Sequence, residues 1–412
     1  MRMMMISDHA DPLAEIGSKE AGGQNIYVYN VAKFLSEAGY SIDVYTRWDQ
    51  KSKKEVVQVN PRWRVIRVAA GPKSYVPRDN CLPLTDEFRD NIIKRIRQEK
   101  IKYDVIHANY WMAGLIGMAL HFRYSIPLVY VYHSIGQVRL NVMRQYNQTA
   151  DYVFYRQRLA AEKTIAHVAT GIIATSPVEK QIIKQYFGVD GDKVTVIPIG
   201  VDRSVFKAIP TAQARQQLQW DITSKIAVYV GRLEWRKGIG TLVQAFASVV
   251  KTFPTAQLYI IGGAKNKSTV DQEVNEEQRL QFIAEQLDIA DHIHFLGAKK
   301  QSELHLYYSA ADVCTVPSYY EPYGIVPIEA MACGTPVVAS RAGGLKYTIV
   351  ENVTGLLAEP FEDKDLSKKL IQVLQKGKPY YTPKCLDRIK SNFRWSQIAK
   401  KYDSYLLGVV QR

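Results

Sequence analysis

Short runs rich in Val, Ile and Tyr alternate along the chain with longer stretches whose apolar positions recur every three to four residues. The short runs predict buried β-strands and the longer ones amphipathic helices. In the first half the strand candidates are MRMMMIS, SIDVYT, WRVIRVAA, DVIHA, PLVYVYH, GIIATS and VTVIP. In the second half they are KIAVYVG, QLYIIGG, HIHFLG, VCTVPS, PVVAS and GLLAEP. Such strict alternation predicts parallel sheets covered by helices, an α/β protein of the doubly wound kind. Between the halves, PIGVDRSVFKAIPTAQARQQLQWDITS has two prolines and no sheet pattern, so a domain junction is expected near residues 199–224. The expected division is an N-terminal Rossmann-like domain over 1–200, a second over 201–392, and a closing amphipathic helix, WSQIAKKYDSYLLGVV, within 393–412 that crosses back.

A length of 412 residues agrees with two domains rather than one core. Apolar content of 47% with 11% aromatics excludes a disordered chain. No apolar run reaches the roughly 18 residues of a membrane helix. The four cysteines, Cys81, Cys314, Cys333 and Cys385, form no CxxC pair, which argues against disulfides and zinc and for a cytoplasmic protein. The net charge of +14 suits anionic small molecules, an anionic membrane surface or nucleic acid. The densest basic run, RDNIIKRIRQEKIKYD at 89–104, has helical spacing and reads as a solvated helix face, with peripheral membrane contact the lesser alternative. No basic–aromatic ladder of a nucleic-acid binder is present, so no nucleic-acid partner is expected.

Ligands of doubly wound sheets bind beyond the carboxyl ends of the strands. The polar residues at those ends are therefore the candidates. Asn109, Tyr110 and Trp111 follow DVIHA, and His133 and Ser134 follow PLVYVY. Gly231 and Arg232, with Lys237 soon after, follow KIAVYV; Gly262 and Gly263 follow QLYII. Two such crevices, facing each other, would form one interdomain cleft.

The most informative segment is Glu321-Pro-Tyr-Gly-Ile-Val-Pro-Ile-Glu329, where two carboxylates bracket a Gly-Ile-Val turn that opens a helix. Free N–H groups and a positive dipole end suit a phosphate, and the carboxylates can accept from hydroxyls. A nucleotide sugar offers both. Glu329 is assigned to ribose and Glu321 to the transferred sugar; the plain alternative is a structural salt bridge. Hydrolytic carboxylate pairs face each other across a scissile bond, whereas here backbone amides intervene. Arg232 and Lys237 in GRLEWRKGIG could neutralise a leaving diphosphate, worth about 3–4 kcal/mol per well-placed donor, or be ordinary loop cations. Gly22-Gly23-Gln24 before a helical run could meet a phosphate or a sugar, or be a simple strand-to-helix turn. No GxGxxG fingerprint or Walker sequence is present. His133 could hydrogen-bond the transferred sugar or its acceptor, or be a satisfied core histidine.

With GRLEWRKGIGTLVQAF, EPYGIVPIEAMACGTPVVASRAGG and VIPIGVDRSVF, the chain resembles the retaining family 4 glycosyltransferases of the GT-B fold over nearly its whole length. The resemblance implies that Glu329 binds ribose and that Arg232 and Lys237 bind the diphosphate. Glu321, with the backbone of Gly324, Ile325 and Val326, would hold the donor sugar and phosphates, with Gly263 beside them. Gly23 would cap the diphosphate from the first domain, and His133 would contact the donor sugar. It implies same-face transfer in which the departing phosphate takes the acceptor's proton, with neither metal nor other cofactor.

In the first half, DPLAEIGSKEAGGQNIYVYNVA, RDNCLPLTDEF, HANYW, YHSIG and RLAAE are similar to sucrose-phosphate synthases and to the inositol-phosphate glycosyltransferases of mycothiol synthesis. By that similarity an acceptor phosphate would meet Arg78, Tyr110, Ser134 and Arg158, with Gln24 and His133 on the acceptor; Arg78 stands where Lys is more usual. The expected reaction moves glucose from UDP-glucose, or ADP-glucose, to fructose 6-phosphate. With no phosphatase domain in the sequence, a separate phosphatase is expected downstream. The rivals are the same chemistry on inositol phosphate, a lipid or a polysaccharide, and a two-lobed nonenzymatic sensor.

Overall fold

The computed structural model describes residues 1–15, 22–145, 148, 150–263 and 272–411. The middle of the DPLAEIGSKEAGGQ loop, residues 16–21, lies outside them. The chain forms two units: Met1–Ala14, residues 22–198 and Ser396–Arg412 make the first, and Ile199–Trp395 the second.

The first unit contains β1 (Arg2–Ile6), β2 (Ser41–Arg47), β3 (Val56–Asn60), β4 (Trp63–Val68), β5 (Val105–Asn109), β6 (Leu128–Val131), β7 (Gly171–Ala174) and β8 (Val194–Val196). They form one sheet in the order β3-β4-β2-β1-β5-β6-β7-β8, parallel except for the β3–β4 pair. The second unit contains β9 (Ile226–Val230), β10 (Gln257–Ile261), β11 (Ile293–Gly297), β12 (Val313–Val316), β13 (Val337–Ser340) and β14 (Gly355–Ala358). They form a parallel sheet in the order β11-β10-β9-β12-β13-β14.

Both orders reverse direction at one point, between β1 and β5 in the first sheet and between β9 and β12 in the second. Loops leaving neighbouring strands there diverge to opposite faces and open a crevice. The strands beside it are apolar on both faces because helices cover both: Met3 to Ile6 of β1 are wholly buried, as are Val313 and Cys314 of β12. Each such side chain stabilises the fold by roughly 1.5–3 kcal/mol. From Ser396 the closing helix, Trp395–Val410, belongs to the first unit, where Tyr402 meets the Tyr27 hydroxyl and Asp403 accepts from Tyr40 at 2.5 Å.

Every strand candidate from the sequence forms a strand. The exception runs the other way: β3 was not expected. It is a five-residue antiparallel edge strand, only partly buried, held by its hairpin with β4. The basic run at 89–104 falls on helix Thr85–Glu99, where Arg89 pairs with Asp86 and Asp90, and Arg95 with Glu55 and Glu99. Two of its six basic residues are thus paired within the unit. All four cysteines are buried thiols. Among the described residues no helix is long and apolar enough to cross a membrane, and no cluster of His, Cys, Asp or Glu could hold a metal ion.

Candidate functional site

In the second unit, the loops after β9, β10 and β12 bring one group of candidates together. Gly262 lies so close to the Gly231 carbonyl that a Cβ on it would stand 1.7 Å from that oxygen. No side chain fits there, so the β9 and β10 loops meet backbone to backbone, with Gly263 next in line. After β9 the chain makes a short turn, Trp235–Lys237, before helix Ile239–Thr252. Lys237 Nζ reaches Glu321 Oε2 at 2.6 Å. Arg232 Nη1 and Arg236 Nε each reach a different oxygen of Glu234, both at 2.6 Å. Three cations thus stand with two carboxylates. Burial disfavours the Glu321 carboxylate, but the Lys237 ammonium, with Arg236 and the Gly324 amide, outweighs it and holds the group below the usual range. The salt-bridge alternative describes Glu321 in this structure, with the partner that also carries the diphosphate assignment.

The Glu321 loop is fixed from two sides. Trp235, Tyr319 and Phe361 pack together, Tyr319 stacked on Phe361 with centroids 3.4 Å apart. Gly344 donates to the Glu321 carbonyl at 2.9 Å, and a Cβ on Gly343, at φ +46°, would lie 2.2 Å from that oxygen. Gly324, at φ +81°, turns the chain into helix Ile325–Ala332, so the Ile325 and Val326 amides open the helix. Glu329, one turn on, is 4% exposed. Its oxygens accept from Tyr308 Oη at 3.0 Å and Gln301 Nε2 at 3.3 Å. Burial, only partly offset by those two donors, pushes its pKa up to about 7.

In the first unit the candidates gather at the β1/β5 reversal. Gly23 begins helix Gly23–Glu37 and is exposed. Gln24 donates to Ser7 Oγ and to the Asn109 carbonyl, both at 3.3 Å. Tyr110 and His133, the residues that leave β5 and β6, both have positive φ, +80° and +58°. Such strain in non-glycine residues is concentrated at functional sites. His133 is 5% exposed, and its Nε2 lies 2.9 Å from Asn109 Oδ1. Burial, reinforced by neighbouring His107 and His9, holds its pKa well below the usual value, so the ring is neutral.

Around Tyr110 the structure places three arginines, of which the family resemblance singled out two. Arg158 and Arg78 have their guanidinium carbons 4.9 and 5.8 Å from the Tyr110 ring centroid. Arg158 is fully buried and gives Nε to Glu162 at 2.7 Å, Nη1 to Tyr110 Oη at 3.0 Å and Nη2 to the Ser134 carbonyl at 2.5 Å. Its donors hold the Tyr110 hydroxyl and the Ser134 turn in place rather than facing solvent. Arg78 donates to Asp79 at 2.9 Å. Burial opposes ionisation of Asp79, but Arg78, with Arg139 and Arg158, outweighs it and keeps the group charged. Arg139, on helix Gly136–Gln145, is the third guanidinium. It makes no side-chain hydrogen bond or salt bridge among the described residues, and burial together with Arg78 lowers its pKa. A partly buried cation beside a like charge suits a multiply charged anion. Arg139, Glu234 and Arg236 were missed from sequence, and only the RK doublet of Arg236 and Lys237 signalled any of them; Asn109 was noted only as a strand-end residue.

Two family models match consecutive parts of the chain: Glycosyltransferase Family 4 over residues 21–205 and Glycosyl transferases group 1 over 210–394. The D-inositol 3-phosphate glycosyltransferase of Corynebacterium jeikeium is 34% identical over 375 residues, covering 90% of this chain and 87% of that protein. The sucrose-phosphate synthase of Thermosynechococcus elongatus is similar in structure with a TM-score of 0.90 at 33% identity, covering 99% of both chains. Anabaena HepE, in a crystal with UDP and glucose, has the same fold at 22% identity and a TM-score of 0.77, over 99% of this chain and 100% of that one.

Proposed function

Because the chain belongs to the family 4, group 1 glycosyltransferases of the GT-B fold, we propose that it transfers glucose from UDP-glucose, or ADP-glucose, to fructose 6-phosphate. The observation that carries this is the pairing of two basic sites with different surroundings. In the second unit the cations Arg232, Arg236 and Lys237 adjoin a carboxylate and the amides that open helix Ile325–Ala332. That set matches a sugar diphosphate. In the first unit Arg78, Arg139 and Arg158 surround a tyrosine, and the glutamate there, Glu162, is taken up by Arg158 and the Gly136 amide, which leaves a cationic set that matches a phosphate monoester. The structural likeness to a sucrose-phosphate synthase supports fructose 6-phosphate in that place.

In the proposed reaction the bond from the sugar's anomeric carbon to the diphosphate oxygen breaks and a bond to the acceptor hydroxyl oxygen forms on the same face. The hydroxyl proton passes to the departing phosphate oxygen, giving sucrose 6-phosphate and UDP. Arg232 and Lys237 stabilise the charge that grows on the leaving diphosphate, the work a metal performs elsewhere. Glu321, held ionised by Lys237, accepts hydroxyls of the sugar, and Glu329 those of the ribose. Gly23 meets the diphosphate; Gln24, Arg78, Tyr110, Ser134 and Arg139 meet the acceptor, with Arg158 bracing them. The product keeps its phosphate, so a separate phosphatase would act next, and a cytoplasmic setting suits its phosphorylated substrates.

UDP release with UDP-glucose and fructose 6-phosphate tests the proposal; release no faster than background hydrolysis rules out this acceptor. A second reading, an inositol phosphate acceptor, is favoured by the 34% identical relative. It predicts release with D-inositol 3-phosphate and none with fructose 6-phosphate.

A further inference from the structure

The Glu329 carboxyl is held by Tyr308, a fully buried residue of helix Leu304–Ala310. Tyr308 Oη donates to Oε2 at 3.0 Å. Gln301 Nε2, from the turn before that helix, donates to Oε1 at 3.3 Å. An ionised carboxyl has about four lone-pair sites, two on each oxygen. This one accepts no other hydrogen bond among the described residues, so one lone pair remains on each oxygen. Two free acceptors on one carboxylate fit two neighbouring hydroxyls, each donating to a different oxygen. The internal donors Tyr308 and Gln301 thus decide which way the free pair faces.

Tyr308 is itself anchored. Its carbonyl accepts from Thr335 Oγ1 at 2.5 Å and from Lys378 Nζ at 3.5 Å. The Lys378 ammonium, 7% exposed, also donates to the Ser309 and Ala311 carbonyls at 2.5 and 2.9 Å. Arg215 Nε donates to the Ala310 carbonyl at 2.9 Å. Two buried cations therefore close the carboxyl end of the helix, where its dipole favours positive charge. Lys378 does this with no salt bridge of its own among the described residues, and burial lowers its pKa to about 8. The helix that presents the Tyr308 hydroxyl is thus held from its far end as well as by packing.

We propose that Tyr308 is a positioning residue for nucleotide binding: its anchored hydroxyl, with the Gln301 amide, aims the two free acceptors of Glu329 at the paired hydroxyls of a ribose, so that the site selects ribonucleotides over 2′-deoxyribonucleotides. The ligand half of this inference rests on the proposed donor site; the hold of Tyr308 on the carboxyl does not. The arrangement also ties binding to ionisation, because only the ionised carboxyl offers both acceptors. The titratable groups facing it are Tyr308, Cys314 on β12 and Cys333 at the end of helix Ile325–Ala332, all kept neutral by burial. Burial raises the Glu329 pKa, and the Tyr308 hydrogen bond is the larger of the two opposing effects. Removing that donor must therefore move the ionisation to higher pH.

The two halves have separate tests. Carbon-13 spectra of the full chain, labelled at the glutamate carboxyls, follow the ionisation of Glu329 without any ligand; its signal is identified by its loss in Glu329→Gln. A midpoint of about 7 is expected in wild type and a higher one in Tyr308→Phe, which keeps the ring and the carbonyl anchors. An equal or lower midpoint in the variant overturns the hold, whatever the ligand proves to be. If Tyr308→Phe does not fold, Gln301→Leu removes the other donor and must move the midpoint the same way. For the ligand half, the probes are UDP-glucose, whose diphosphate does not change charge over this range, and its 2′-deoxyribose analogue. Wild type should bind UDP-glucose about tenfold more tightly at pH 8 than at pH 6. It should prefer UDP-glucose to the analogue by about tenfold or more. Tyr308→Phe should shrink that preference by about threefold or more, and raise the donor's KM more than it lowers kcat, whereas a merely structural defect would leave the preference intact. Equal preference in the two proteins overturns the selection. Failure of wild type to bind UDP-glucose at all removes the donor reading and the ribose selection with it, while the carboxyl midpoints still decide the hold.

Discussion

Glu329 is a carboxylate in surroundings that favour its acid form. It is almost wholly buried, its two hydrogen-bond donors are neutral, and its pKa rises from 4.5 to about 7. The folded state therefore holds a proton that the unfolded state releases between those values. Stability from this group is complete below about pH 4.5 and is lost as pH rises through about 7, an effect of about 3 kcal/mol. Glu329→Gln keeps the shape and removes the titration. Urea unfolding at pH 5 and at pH 8 should show the variant gaining on wild type by that amount at the higher pH. A difference that does not vary with pH would show that the burial penalty is absent. Glu329→Ala should raise the donor's KM far more than the acceptor's. Arg139 makes the opposite prediction. Its guanidinium lies among two like charges, so Arg139→Met should raise the acceptor's KM by about tenfold or more, equivalent to roughly 1.5–3 kcal/mol for a charged hydrogen bond, and leave the donor's nearly unchanged. Equal shifts for both substrates would remove Arg139 from the acceptor site.

At the scale of elements, the residues proposed to bind the donor depend on loops that touch without side-chain padding. Gly343 shows how narrow the tolerance is. Its φ of +46° and the 2.2 Å approach of a would-be Cβ to the Glu321 carbonyl mean that Gly343→Ala must push the Glu321 loop away. Destabilisation of about 1–3 kcal/mol is expected, with a fall in kcat of about tenfold or more, and the acceptor's KM should hold. Wild-type kcat in this variant would mean that the loop position is not critical. The glycines were visible in the sequence, but their partners were not. Strand positions were legible because parallel strands buried on both faces are continuous apolar runs, as MMMI of β1 shows. The β3 strand escaped because an edge strand paired on one side needs no such run. Lys237 and Glu321 could be suspected separately, yet they lie 84 residues apart, and only the adjacency of β9 and β12 puts their charges 2.6 Å apart. Asn109 was noted as a strand-end residue, but its hydrogen bonds to Ile6 and His133 depend on β5 lying between β1 and β6, a matter of sheet order that spacing does not encode.

For the whole molecule, the division of labour makes a claim about where each substrate leaves its mark. The two basic sites are built on different sheets, and each is braced by hydrogen bonds and packing within its own unit. A ligand that binds only the native state stabilises it by about 2.7 kcal/mol at a hundred times its dissociation constant, and that stabilisation is felt first by the elements it touches. Hydrogen exchange with UDP alone should therefore slow amides after β9, β10 and β12, around residues 231–238, 262–263 and 319–330. Fructose 6-phosphate alone should slow those around residues 78–82, 110–112 and 133–140. UDP that protects only the first set of strand ends, after β1, β5 and β6, would reverse the assignment of donor and acceptor units. Protection of the inositol phosphate kind, with D-inositol 3-phosphate slowing residues 133–140 and fructose 6-phosphate not, would keep the division and change the acceptor. The distinction follows because, in the proposed function, Arg78 and Arg139 meet the phosphate shared by both compounds, whereas the ring that carries it must be recognised by other contacts.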